Sequence, residues 1–217
     1  MIDAVAAARR RQVLAVLQDR TAPVPERELA TCIAAIEGEK PPVEVTSEEV
    51  ASIRTDLHHV HLPRLEAASL VERDADGATV TTTGHPALDD PSFQQLVGAD
   101  ADDWDAVVAS IASRRRRTVL AVLADREEPM ACEDLAAAVH RRGRHVDHPS
   151  TAVEDVRASL HHSHLPKLDD AGLVSYDADE GTAVYEGHPR LPTEWFERAP
   201  EESPRFAVAA ARKLSDV

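Results

Sequence analysis

The sequence predicts a mainly α-helical chain with small β-hairpins, built as two copies of one unit, and three observations carry that expectation. The phrase Leu57-His58-His59-Val60-His61-Leu62-Pro63-Arg64-Leu65 returns as Leu160-His161-His162-Ser163-His164-Leu165-Pro166-Lys167-Leu168, and such self-similarity sets the repeat before any local pattern is weighed. An arginine block opens each copy, at Arg9 to Arg11 and Arg114 to Arg117, and Gly-His-Pro closes each, at Gly84-His85-Pro86 and Gly187-His188-Pro189. A chain of 217 residues with 43% hydrophobic side chains can fill two small cores of roughly 80 to 100 residues each.

Helix one follows from Val13, Leu14, Val16 and Leu17, an apolar stripe at helical spacing matched by Val119, Leu120, Val122 and Leu123. A turn at Pro23 or Pro129 separates it from helix two, which starts within Pro25 to Ala30 or Ala131 to Ala136. Acidic residues stand there in the first turn, where the helix dipole favours them. Helix three is expected from Ser47 or Thr151, each a candidate N-cap, and carries Val50, Ile53 and Leu57 or Val153, Val156 and Leu160 at spacings of three and four. Pro63 and Pro166 remove a backbone donor and crowd the preceding turn, so each third helix must kink or restart. The turns Asp74 to Gly77 and Asp177 to Gly181 then predict hairpins, with Val80 to Thr83 and Ala183 to Glu186 as return strands. Helix, helix, helix, hairpin is the order of a winged helix.

These elements divide the chain into winged-helix copy one (1–88), an acidic helical connector (89–106), copy two (107–190) and a C-terminal helical tail (191–217). The connector holds six aspartates, with a short helix around Phe93 to Val97 and a second through Trp104, Val107, Val108 and Ile111. The tail predicts an alanine-rich helix from Phe206 to Leu214. Cys32 and Cys132 are expected at matching places in helix two as buried free thiols, since neither has a second ligand at zinc-site spacing.

The net charge of −15, with lysine only at Lys40, Lys167 and Lys213, resembles the surfaces of haloarchaeal proteins that work in molar salt. At such salt the Debye length falls to about 3 Å, so an acidic total does not exclude a polyanionic partner. No apolar run reaches the length of about 20 residues that a membrane span needs, and the start of the sequence lacks a signal-peptide pattern. A cytoplasmic, soluble chain is the expectation, with no membrane partner.

The run from helix three into the hairpin resembles the winged-helix domains of small prokaryotic repressors such as the ArsR group, which carry a His-Leu step before an Ala-Gly-Leu-Val close. More closely, Leu-His-His-x-His-Leu-Pro-Lys-Leu-x-x-Ala-Gly-Leu-Val resembles a haloarchaeal domain family placed among winged-helix regulators, here in tandem. The resemblance covers nearly all of 9–86 and 115–189 and implies the fold without implying an activity. Copy one departs from it with Ser69 where copy two has Gly172.

A winged helix lays its third helix in the major groove, which predicts a transcriptional regulator that binds double-stranded DNA. The expected contacts are Arg54, His58, His59 and Arg64 in copy one, and Arg157, His161, His162 and Lys167 in copy two. Phosphates would fall to Arg9 to Arg11, Arg114, Arg115, Arg116 and Arg117, and to Arg141, Arg142 and Arg144. Residues 1–88 hold 9 basic and 14 acidic residues and 107–190 hold 11 and 14, which makes copy two the stronger reader. Acidic hairpin tips oppose a wing beside phosphates, so the alternative is an interaction module for a protein partner or a second copy. His58 with His61, or His162, joined by His85 or His188, could chelate a metal, but no cysteine or carboxylate completes a set. No glycine-rich phosphate loop, Gly-x-Ser-x-Gly elbow or His-Glu-x-x-His occurs, so no catalytic residue, cofactor or metal is expected.

Overall fold

The computed structural model describes residues 1–98, 102–126, 128–143, 152–191, 193 and 196. The chain divides near residue 100 into two compact units. In the first, α1 (Ala8–Gln18) buries Val13, Leu14 and Leu17, and a two-residue strand β1 (Val24–Pro25) leads into α2 (Glu26–Glu37). Helix α3 (Ser47–Asp56) runs through a π-helical turn, Leu57–His61, into α4 (Leu62–Ala67). Strands β2 (Val71–Arg73) and β3 (Thr79–Thr82) form the hairpin, and β1 pairs with β3 on its other side, so the antiparallel order is β1-β3-β2. A final helix, α5 (Pro91–Val97), buries Phe93, Leu96 and Val97 and packs on α1.

The second unit repeats the plan. Its elements are α6 (Asp102–Ala112), α7 (Arg114–Leu123), β4 (Met130–Ala131), α8 (Cys132–Gly143), α9 (Val153–Ser159), a π turn over Leu160–His164, α10 (Leu165–Asp170), β5 (Val174–Asp177) and β6 (Thr182–Tyr185). The sheet order is β4-β6-β5, again antiparallel. In each unit a helix, a short strand, two helices and a hairpin enclose one apolar core, with the first strand on the return strand of the hairpin. This is the arrangement of a winged helix. The fold is therefore mainly α with small sheets, in tandem.

Several sequence expectations need correction. The turn before helix two is a strand in both copies, so helix two begins at Glu26 and Cys132 and not at Pro25 and Ala131. Edge pairing carries on one residue further, where the Glu26 N–H donates to the Ala78 carbonyl and the Cys132 N–H to that of Gly181. The return strands start at Thr79 and Thr182, one residue earlier than the apolar pattern implied. Thr46, not Ser47, caps α3: its hydroxyl accepts from the Glu49 N–H while the Glu49 carboxylate accepts from the Thr46 N–H, a reciprocal capping box. Thr151 lies outside the described residues, and so does the tail helix from Phe206 to Leu214.

The cysteines do not match one another. Cys32 sits half-buried within α2, whereas Cys132 is the buried first residue of α8 and occupies the place of Glu26. The acidic connector is not a spacer along its whole length, because α5 belongs to the first core and α6 buries Trp104, Val107, Val108 and Ile111 in the second. Ser69 adopts φ 57° where Gly172 adopts 65°, so both copies leave the helix through the same left-handed residue.

Candidate nucleic-acid interface

The repeated phrase forms the π turn, and leucine spacing explains its shape. Leu57 and Leu62 are both fully buried, as is Leu65, yet Leu57 and Leu62 stand five positions apart. An α-helix brings positions four apart onto one face, so one extra residue must be absorbed in the turn between. It is: the Leu62 N–H donates to the Leu57 carbonyl five residues back, and the Leu165 N–H to that of Leu160. Pro63 has no N–H to give the carbonyl four residues before it, and the wide turn makes room for its ring. His58, His59 and Val60 consequently bulge outward, as do His162 and Ser163 with a half-buried His161.

Each bulge is latched to the core by its first histidine. His58 Nδ1 lies 3.2 Å from Oε2 of the buried Glu26, the first residue of α2. In the second copy Cys132 replaces Glu26, and His161 Nδ1 instead lies 2.5 Å from the Tyr176 hydroxyl on β5. Burial and the neighbouring Cys132 push that hydroxyl up to about 12, and burial raises the Cys132 thiol too. The second latch thus meets a phenol hydroxyl where the first meets a carboxylate. The next histidine stacks edge to face on the latch ring, with centroids 4.9 Å apart for His58 and His59 and 4.7 Å for His161 and His162. Composition gave no sign of Glu26 or Tyr176 as partners. The matched positions of Glu26 and Cys132, each directly after the first strand, were the available signal.

The third histidine turns inward. Burial first, and then Arg9 and Arg10, lower His61. Burial, Arg115, Arg116 and Lys167 take His164 down to about 4. Both surroundings favour the neutral ring, and Nδ1 of each is buried without a hydrogen bond. One histidine per copy thus packs beneath the turn with its Nδ1 making no hydrogen bond. Among the described residues no three His, Cys, Asp or Glu side chains converge as a metal site.

The arginine blocks are placed differently from the phosphate-contact expectation. Arg10 donates to the carbonyls of Ala4 and Asp3, and Arg11 to those of Val5 (2.9 Å) and Ala6 (3.2 Å). Arg116 does the same to Ser110 and Ala109, at 2.5 and 2.8 Å, and Arg117 to Ile111 and Ala112, at 2.6 and 2.9 Å. These carbonyls lie at the end of the preceding helical turn, where backbone donors run out, although the Asp3 carbonyl also accepts from the Ala6 N–H. Arg9 clamps Glu37 and Asp56, while Arg115 donates to Ser159 Oγ at 3.2 Å. Of these residues only Arg114 is exposed. Apart from Arg114, the block side chains are engaged within the chain.

Arg54, Arg64 and Lys167 are exposed beside the bulges, and Arg157 is exposed but holds Glu154 at 2.5 Å. Arg141 and Arg142 line a groove between α7 and α8, with Arg142 2.8 Å from Asp125, and Arg144 lies outside the described residues. In the hairpins Arg73 is bound to Glu66 at 2.6 Å, and the tips carry Asp74, Asp76, Asp177, Asp179 and Glu180. Among the described residues, exposed cations thus lie on the third-helix segments (Arg54, Arg64, Arg157, Lys167) and also on the first and second helices (Arg114, Arg141), while Arg73 of the first wing is held by Glu66.

Among the described residues no helix is long and apolar enough to cross a membrane. No curated protein and no solved structure matches the chain. A family profile, described as a domain of unknown function (DUF7344), matches residues 2–81 and again 109–184, the two stretches that hold the winged-helix elements. The chain belongs to the DUF7344 family and carries its domain twice.

Proposed function

We propose that the chain is a transcriptional regulator that binds double-stranded DNA through its two third-helix segments. The observation that carries this reading is the outward π turn, repeated in both copies. It sets exposed imidazoles on the helix a winged helix offers to the major groove, between Arg54 and Arg64 in one copy and between Arg157 and Lys167 in the other. Arginine and lysine suit the O6 and N7 acceptors of guanine, and Arg114 remains for a phosphate. The acidic wings favour a second reading, a protein-interaction module, because they repel a backbone that a basic wing would grip.

The test is fluorescence anisotropy with duplexes selected from a random-sequence pool, in potassium chloride that keeps the chain folded. Arg54→Ala and Arg157→Ala should each weaken binding about tenfold. Unchanged retention in the double variant sinks the DNA reading. Failure to retain any duplex at any salt, with capture of one defined protein, installs the interaction module instead.

A further inference from the structure

The C-terminal halves of α1 and α2 leave a surface groove in the first copy, and α7 and α8 leave its counterpart in the second. Val16, Asp19 and Arg20 of the first reappear as Val122, Asp125 and Arg126 of the second. The opposite wall has diverged. Ala35 and Ile36 are replaced by Arg141 and Arg142, so an apolar wall has become a cationic one. The pairing of the shared arginine has changed as well. Arg20 lies 3.7 Å from Glu28, but among the described residues neither Arg126 nor Arg141 has an ion-pair partner, and both are exposed. Only Arg142 is held, by Asp125. Three arginines against one aspartate form a local excess of positive charge on a chain whose total is −15.

The lining of this second groove also includes two apolar side chains of low exposure, Val122 and Met130. Its volume is about 820 Å³, within the range of roughly 300 to 1,000 Å³ typical of small-molecule sites. A guanidinium fork fits an oxyanion through paired hydrogen bonds, and apolar side chains fit a hydrocarbon or aromatic body. A duplex backbone is a convex, solvated ridge that would touch the rim and leave Val122 and Met130 uncovered. We propose that the groove between α7 and α8 binds a small organic anion, with an apolar body over Val122 and Met130 and a phosphate or carboxylate held by Arg126 and Arg141. The first copy has lost or never acquired this site, which gives the two copies different tasks.

Calorimetric titration of the full chain with 1-naphthyl phosphate and 1-naphthoate tests it, in potassium chloride at which circular dichroism shows the chain folded. One saturable site per chain is expected, and the tighter probe tells phosphate from carboxylate. Neutral 1-naphthol and inorganic phosphate should bind at least about tenfold more weakly. Arg126→Gln and Arg141→Gln, both at exposed positions, should each weaken the anion about tenfold, while Arg20→Gln in the first copy leaves it unchanged. Three outcomes overturn the proposal: no saturable binding of either anion, inorganic phosphate binding as tightly as the aryl anions, or displacement of the anion by a random-sequence duplex. The last result would assign these arginines to the DNA backbone.

Discussion

An arginine near the end of a helical turn can serve solvent or the unpaired carbonyls beside it, and Arg10 serves the carbonyls. It is 5% exposed and donates to Ala4 and Asp3. Arg10→Ala would strand the Ala4 carbonyl, since that of Asp3 keeps the Ala6 N–H, and a charged hydrogen bond together with its unmet partner amounts to about 2–4 kcal/mol. Urea denaturation should read that loss with DNA affinity unchanged. Arg10→Lys should recover less than half of it, since a point charge cannot copy a fork. Intact stability with lost DNA affinity would return the block to phosphate binding. His164 gives a second residue-scale expectation. Its pKa falls from 6.5 to about 4 on folding, so between those values the unfolded chain takes up a proton that the folded chain refuses. Stability is then fully present above about pH 6.5 and falls as pH drops toward 4. The ring keeps some solvent contact, which discounts the effect to about 1–2 kcal/mol. Denaturation midpoints at pH 7.5 and 4.5 should show the loss, and His164→Gln should remove most of it. An equal pH dependence in that variant would assign the slope to other groups.

At the scale of elements, the π turn and its proline depend on one another. The wide turn holds one residue more than an α-helix would, and Pro63 sits where a tight turn would clash. Deleting Val60, which is 45% exposed, brings Leu57 and Leu62 to ordinary helical spacing but drives the proline ring into the turn before it. The deletion alone should cost about 3 kcal/mol, and adding Pro63→Ala should restore most of it as a continuous helix. Thermal melts followed by circular dichroism measure both steps. DNA affinity should stay low even in the restored variant, because the bulge is gone. A deletion without cost would mean that the turn is indifferent to its width. The sequence announced a kink or restart through the proline, and its Leu57-to-Leu62 spacing already encoded the extra residue. The short strands β1 and β4 were harder to see, since two residues have no periodicity and Pro25 reads as a turn. The capping role of Arg10 and Arg116 was illegible for a different reason. A block of arginines reads the same whether its charge faces water or a row of carbonyls, and only the packing of the preceding turn decides between them.

At the scale of the whole molecule, net charge and the location of accessible cations together set how DNA affinity should respond to salt. If the arginine blocks gripped phosphates, many contacts would release counterions and log K would fall steeply with log salt, by about 0.9 for each phosphate neutralised. The structure ties Arg9 to Arg11 and Arg115 to Arg117 to carbonyls, carboxylates and Ser159, and on the third helices and in the arginine blocks, among the described residues, it leaves Arg54, Arg64, Arg114 and Lys167 exposed without an ion pair, while the exposed Arg126 and Arg141 belong to the α7–α8 groove. Four contacts give a slope no steeper than about −4. Repulsion between the duplex and a chain of charge −15, sharpest at the acidic hairpin tips, acts in the opposite sense and is itself screened as salt rises. The slope should therefore be shallower still, and affinity should persist in potassium chloride concentrations that release an ordinary basic binder. Anisotropy titrations of one selected duplex across a salt series give the slope directly. Asp177→Asn with Asp179→Asn should raise affinity at low salt and change it little at high salt, because the repulsion they remove is already screened there. A slope near −8 would mean that cations beyond these four, in the α7–α8 groove or in the arginine blocks, contact the backbone on binding, and the four-contact interface would be wrong.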